Sequence, residues 1–213
     1  MELASRGFAT DALLGQARKE VPIMTLFLSS DHHWGHENVV KWRDDYDTLD
    51  EMNEDLVTRW NETVSPEDSV YYLGDLVMGQ RADTLQWVSR LNGLIYLVPG
   101  NHDHVHPMHM EKRNEAWQDK WSQMYIDAGI EAIMPTTNFF SWGEISFLLC
   151  HFPFEGDHTD EERYTEWRPE PIGADFLLHG HVHDLWKRNG NQINVGVDVW
   201  DFRPVSIDEV TAW

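Results

Sequence analysis

Five short strings in this chain hold residue types that bind divalent metals and move protons. They are Asp31-His32-His33, Gly74-Asp75, Gly100-Asn101-His102-Asp103, Cys150-His151 and Gly180-His181-Val182-His183. Imidazole nitrogen mixed with carboxylate and amide oxygen suits borderline cations such as Mn, Fe, Ni or Zn, and suits Ca poorly. Separated by two residues on an extended segment, Asp31 and His33, and likewise His181 and His183, reach one region if the backbone bends there. Gly74, Gly100 and Gly180 permit sharp turns and close approach of the chain to a metal. A carboxylate shared by two cations holds them roughly 3.5–4 Å apart, the spacing used for in-line displacement at phosphorus.

The strings differ in specificity. Asp-x-His and Gly-Asp each arise by chance about once in a chain this rich in Asp and His, and a lone His151 carries nothing. Gly-Asn-His-Asp arises by chance roughly a few times in a thousand such chains, and Gly-His-x-His roughly a few times in a hundred. Their ordered occurrence, each after its own apolar run, is the strong signal.

Those runs are the elements that must position the donors. Residues 23–28, 70–73 and 94–98 are short apolar stretches of buried-strand type. Between the first two lies a helix with Thr48 and Glu51 in capping-box spacing and Leu49, Met52, Leu56 and Trp60 on one face. Leu85, Val88 and Leu91 predict a second helix, stopped by Asn92-Gly93. This βαβαβ opening predicts neighbouring parallel strands. A helical stripe of Trp117, Trp121, Met124 and Tyr125 follows, readable as a core face or as a homodimer surface. Strands then dominate: 130–134, 138–142, 145–150 and 176–178, with a hairpin turning at Asn189-Gly190. Strand ends in such sheets converge on a crevice. The expected fold class is α/β, two stacked mixed β-sheets flanked by helices. Residues 1–22 read as an N-terminal extension and 23–213 as one catalytic domain.

The ordered set resembles the calcineurin-like metallophosphoesterases, whose signature is Asp-x-His, Gly-Asp, Gly-Asn-His-Asp/Glu, His and Gly-His-x-His. The match spans about residues 25–198 with no core motif position missing. The stretch 31–38, in which the first motif continues as aromatic-Gly-His-x-Asn, and Met52-Asn53-Glu54 further resemble small stand-alone bacterial and phage phosphodiesterases. The resemblance implies an αββα sandwich and two divalent metal ions, with Mn the expected choice in vitro. It implies that Asp31, His33 and His183 bind the first metal, that Asn101, His151 and His181 bind the second, and that Asp75 bridges them. It implies that His102 faces substrate, steadying phosphoryl oxygens or protonating the leaving group, with Asp103 orienting it. A metal-bound hydroxide is the implied nucleophile.

Other residues leave alternatives open. His36, beside Asn38, either touches substrate or a ligand, or caps the next helix. Arg43 binds phosphate or makes a surface ion pair with its acidic neighbours. His32 reads as a bystander, and His104, His106 and His109 as a solvated loop. Cys150, alternating with a ligand on a strand, points away from the metals. Residues 157–162 read as an exposed acidic loop near the site entrance.

Bulk properties bound the function. At 213 residues, 41% of them hydrophobic, the chain fits one folded domain. No apolar run of about 18 residues predicts a membrane span, and no secretory pattern is present. The single cysteine fits a reducing cytoplasm. A net charge of −21 argues against a broad nucleic-acid surface. The reading is a phosphodiesterase for small nucleotide-like substrates, with 2′,3′-cyclic nucleotides the best guess. A phosphomonoesterase, a nuclease and a non-catalytic scaffold on this fold are the alternatives.

Overall fold

The computed structural model of the chain describes residues 24–212, with the main chain alone at 111 and 112. The expected extension 1–22, and Ile23 at the start of the first predicted strand, lie outside the described residues. Two five-stranded mixed sheets make up the body of the molecule.

The first sheet is the predicted βαβαβ unit, extended at both edges. Its strands are β1 (Leu26–Ser29), β2 (Ser69–Tyr72), β3 (Leu94–Leu97) and β4 (Ile130–Ile133), all parallel. A short strand near the C-terminus, Val205–Ser206, pairs antiparallel with the free edge of β1. The second sheet holds β5 (Thr137–Trp142), β6 (Ile145–Cys150), β7 (Phe176–His179), β8 (Arg188–Asn189) and β9 (Gln192–Asn194). Here β6, β7 and β9 run parallel, while β5 and β8 close the two edges antiparallel. The C-terminal strand Val205–Ser206 is therefore β10.

Alternation along the strands sorts the core into layers. Phe27, Val70, Tyr72, Ile95 and Leu97 face the helix α1 (Leu49–Thr63), meeting Met52, Leu56 and Trp60. Leu28, Leu73 and Val98 face the other way, against Phe147, Leu149, Leu178 and Ile193 of the second sheet. Leu148, Cys150 and Leu177 point to that sheet's outer face, where Phe152, Tyr164 and Trp167 cover them. Cys150 thus packs away from its neighbour His151 as alternation predicts, and burial raises its thiol to about 11.

The first helix begins where the sequence placed it. The Thr48 hydroxyl accepts the Glu51 N–H at 3.2 Å, but Glu51 reaches back to the Asp47 N–H, one residue short of a reciprocal box. The second predicted helix is one α-turn, α2 (Arg81–Thr84), continuing as a 3-10 helix over Leu85–Arg90. Its apolar residues recur every third position, the spacing that a three-residue turn aligns. The Trp117 stripe lies on α3 (Glu115–Asp127), where Tyr125 is buried and Trp121 and Met124 pack partly against the first core cluster. The final helix, α4 (Ile207–Thr211), opens on a complete capping box between Ser206 and Glu209.

Candidate metal centre

All five strings lie at the carboxyl ends of parallel strands: β1, β2 and β3 in the first sheet, β6 and β7 in the second. Main-chain hydrogen bonds stitch these ends together. Asp31 N–H donates to Gly74 O at 3.1 Å, His33 N–H to Asp75 O at 3.2 Å, and Gly180 N–H to His151 O at 3.0 Å. The two sheets meet where His181 N–H donates to Asp31 Oδ2 at 3.0 Å.

The bend that the two-residue spacings require is achieved by left-handed backbone. Asp31, His33, Asp75, His181 and His183 have φ of 60°, 54°, 59°, 71° and 48°. Side chains other than glycine rarely adopt this region, and such strain collects where surrounding structure enforces a functional geometry. Close approach falls to glycine: a Cβ on Gly74, itself at φ 85°, would stand 2.5 Å from Gly100 N and 2.7 Å from His151 Nδ1. On Gly100 it would collide with the Asp75 carboxylate.

The donors converge around one oxygen. Asp75 Oδ2 lies 4.0 Å from His33 Nε2, 3.4 Å from His151 Nε2 and 3.8 Å from His102 Nε2. His33 Nε2 also lies 3.2 Å from His183 Nε2 and 3.6 Å from Asp31 Oδ1. Asn101 Oδ1 is 3.1 Å from His151 Nε2, whose other nitrogen donates to Leu73 O at 2.7 Å. Asp31 Oδ1 is buried with no hydrogen-bond partner, while Oδ2 accepts from the Ser30 hydroxyl and the His181 N–H. An unpartnered buried carboxylate oxygen facing two imidazoles fits a cation, since leaving it bare is costly. Asp31, His33 and His183 form one set close enough to share an ion, and Asp31, Asp75 and His151 another.

The electrostatics keep both central carboxylates ionised. Burial works to raise the carboxyls of Asp31 and Asp75, yet the surrounding histidines hold both far below the usual range. Burial lowers His33 to about 4 and His181 to about 3. Burial also opposes a proton on His151, but the Asp75 carboxylate overcomes it and lifts the ring to about 9.

Several residues take roles different from those expected. Arg43 is only 3% exposed, so its ion pair is a buried one rather than a surface one, set in the wall of an open cleft. Its guanidinium donates to Asp198 at 2.7 and 3.0 Å, to Asp31 O at 2.6 Å and to His32 O at 3.0 Å. It clamps the main chain of the first motif from behind. Asp103 does not orient the His102 ring. Its carboxylate accepts the N–H groups of Asp75 and Gly100 at 2.8 Å, that of Leu76 at 3.2 Å and the Tyr125 hydroxyl at 3.1 Å. It ties the Gly-Asp loop to the Gly-Asn-His-Asp loop, and burial beside Asp75 raises its pKa to about 6. His36, by contrast, takes the capping role, one of its two readings: it accepts the Val39 N–H at 2.8 Å at the start of a 3-10 turn, with its ring centroid 5.8 Å from that of His33. His32 is a core residue, stacked on Trp34 at 4.2 Å.

His104, His106 and His109 are not a solvated loop. His106 is buried against Phe152 and Trp167, His104 packs edge-on to Trp121, and His109 Nε2 donates to Asn101 O at 3.1 Å. Asp157, expected on an exposed acidic loop, is buried and accepts from His181 Nε2 at 3.0 Å. Its partner lies 24 residues on, so no local sequence pattern links the two.

A family model described as the calcineurin-like phosphoesterase superfamily domain matches residues 24–199. The gene 66 protein of Mycobacterium phage D29 is 36% identical over 194 residues, covering 87% of this chain and 93% of its own length. Its counterpart in Mycobacterium phage L5 is 33% identical over 191 residues, covering 86% and 91%. A crystal structure of a protein of unknown function from Aquifex aeolicus shares the fold at a TM-score of 0.63 and 22% identity, over 89% of this chain and 99% of that one.

Proposed function

The chain belongs to the calcineurin-like phosphoesterase superfamily, and from that premise we propose that it hydrolyses a small phosphodiester at a pair of divalent cations. In this reading Asp31, His33 and His183 hold one cation, Asn101, His151 and His181 hold the other, and Asp75 is shared. The observation that carries it is the convergence on Asp75 Oδ2 of His33 from the first sheet and His151 from the second. The mixed nitrogen and oxygen donors favour Mn, Fe, Ni or Zn. When bound, the cations supply Lewis acidity toward the phosphoryl oxygens and make water acidic enough to act as a nucleophile near neutral pH.

The chain's own groups do the positioning. His102 stands at the mouth with its side chain 34% exposed and its main-chain N–H fixed by Asp75 Oδ1 at 2.8 Å. From there it steadies a phosphoryl oxygen or protonates the departing oxygen. Asp103 keeps that loop in register with Asp75. Beside His183 opens a cleft of about 630 Å³, bounded by Trp42, His158, Asp44, Asp184 and Phe202. Its volume suits a nucleotide-sized ligand, and Trp42, 64% exposed, offers a face on which a base can stack. The acidic walls disfavour long polyanions, which supports 2′,3′-cyclic nucleotides over nucleic acid as substrates. Among the described residues no helix is long and apolar enough to cross a membrane; the lone buried cysteine supports a cytoplasmic setting.

The test is turnover of bis-p-nitrophenyl phosphate and p-nitrophenyl phosphate by chelator-stripped protein with Mn²⁺ restored, followed by a panel of cyclic nucleotides. Metal-dependent cleavage of the diester is expected. Preference for the monoester would make the chain a phosphatase; no turnover of any substrate with two metals bound would favour a scaffold.

A further inference from the structure

The segment that follows His151 grips both histidines of the Gly-His-x-His motif. Asp157, 5% exposed, accepts His181 Nε2–H on Oδ2 at 3.0 Å. Its Oδ1 accepts Arg163 Nη2 at 2.7 Å and the N–H and hydroxyl of Thr159 at 3.1 Å each. The next residue, His158, lays its ring on that of His183, centroids 4.5 Å apart and planes within 6°.

A carboxylate paired with a guanidinium is ionised and can only accept hydrogen bonds. The His181 proton must then sit on Nε2, which leaves Nδ1 as the ring's free lone pair. We propose that Asp157 is a positioning residue for the metal pair, holding His181 in the tautomer and orientation that let Nδ1 bind the second cation. The proposal rests on the ligand role of His181 advanced above. Carboxylates that hold a ligating imidazole in this way raise its basicity and spare it the entropy of being fixed on binding.

A rival use of the same atoms is a separate ion held by Asp157, His158 and His181, whose donor atoms lie close enough together. The Arg163 guanidinium argues against it. Nη2 lies 2.7 Å from Asp157 Oδ1 and 3.1 Å from His158 Nε2, so a positive group already fills that corner.

The full chain, stripped by chelator, would be titrated with Mn²⁺ by calorimetry as wild type and as Asp157→Asn. In the variant one of the two binding steps should weaken about 10–100-fold while the other is unchanged. Long-range ¹⁵N–¹H correlation on the metal-free wild type should place the His181 proton on Nε2. Two unchanged affinities in Asp157→Asn, equal weakening of both steps, loss of a third step, or a proton on Nδ1 would each overturn the inference and leave the metal pair standing. A wild-type protein that binds no metal pair would instead remove the centre itself, and this inference with it.

Discussion

Arg43 offers the sharpest test of how the first motif is held. Replacing it by Gln keeps much of the side-chain volume but removes the charge that pairs with Asp198 and the fork that reaches Asp31 O and His32 O. Removing one partner of a buried ion pair costs about 3–5 kcal/mol, because the other is left uncompensated. Asp198 lines the open cleft, so water can reach its carboxylate, which places the cost near the lower end, about 3 kcal/mol. A chain of this size loses about 2–4 °C of Tm per kcal/mol, so Tm should fall by roughly 6–12 °C. Thermal unfolding of the metal-free protein, followed by circular dichroism near neutral pH, reads this directly. Arg43→Lys keeps the charge but cannot satisfy two carbonyls and a carboxylate at once, so it should fall between wild type and Arg43→Gln. An unchanged Tm in Arg43→Gln together with a raised KM would show that the guanidinium meets substrate, and would refute the clamp.

Three further outcomes are expected. His102→Ala should keep its metals and lose about two to four orders of magnitude in rate, the range for an acid–base group; loss of a metal in the variant would show instead that His102 is a ligand. In the metal-free protein His151 is protonated at pH 7, its ring held at about 9, whereas His33 at about 4 and His181 at about 3 are already neutral. A metal must therefore displace the His151 proton. Binding at pH 7 should release about one proton per chain from that ring, and affinity should rise with pH between 7 and 9; calorimetry in buffers of different ionisation enthalpy counts it, and a count of zero contradicts the assignment. Gly74→Ala should abolish metal binding or folding, since its Cβ would enter the Gly100 main chain and the His151 ring at an unfavourable φ; a folded, metal-binding Gly74→Ala protein would show that the close approach is dispensable.

The donors and the strands behind them were readable because both are local. Apolar runs of three to six residues mark β1 to β3, β6 and β7, and each donor string follows its strand within a few positions. The two-residue spacing of Asp31 and His33, and of His181 and His183, asks for a bend at the strand end, but nothing in it shows that the bend is left-handed backbone. What escaped is non-local. Nothing near Arg43 indicates that Asp198, 155 residues on, will bury it. The acidic composition of residues 157–162 suggested a solvated loop, and only the folded chain puts Asp157 on His181. Asp103 sits beside His102 in sequence, yet its carboxylate turns to main-chain N–H groups and Tyr125. The apolar spacing of Leu85, Val88 and Leu91 predicts a helix without fixing its type, because a 3-10 helix satisfies it as well as an α-helix does.

The central claim is that Asp75 joins two cations in one site. The most direct measurement is electron paramagnetic resonance of the Mn²⁺-loaded protein beside its metal content, for wild type and Asp75→Asn. Two Mn per wild-type chain with the spectrum of a spin-coupled pair are expected, and loss of that coupling with lowered occupancy in Asp75→Asn. A single bound Mn, two uncoupled ions in the wild type, or a coupled pair that survives Asp75→Asn would contradict it.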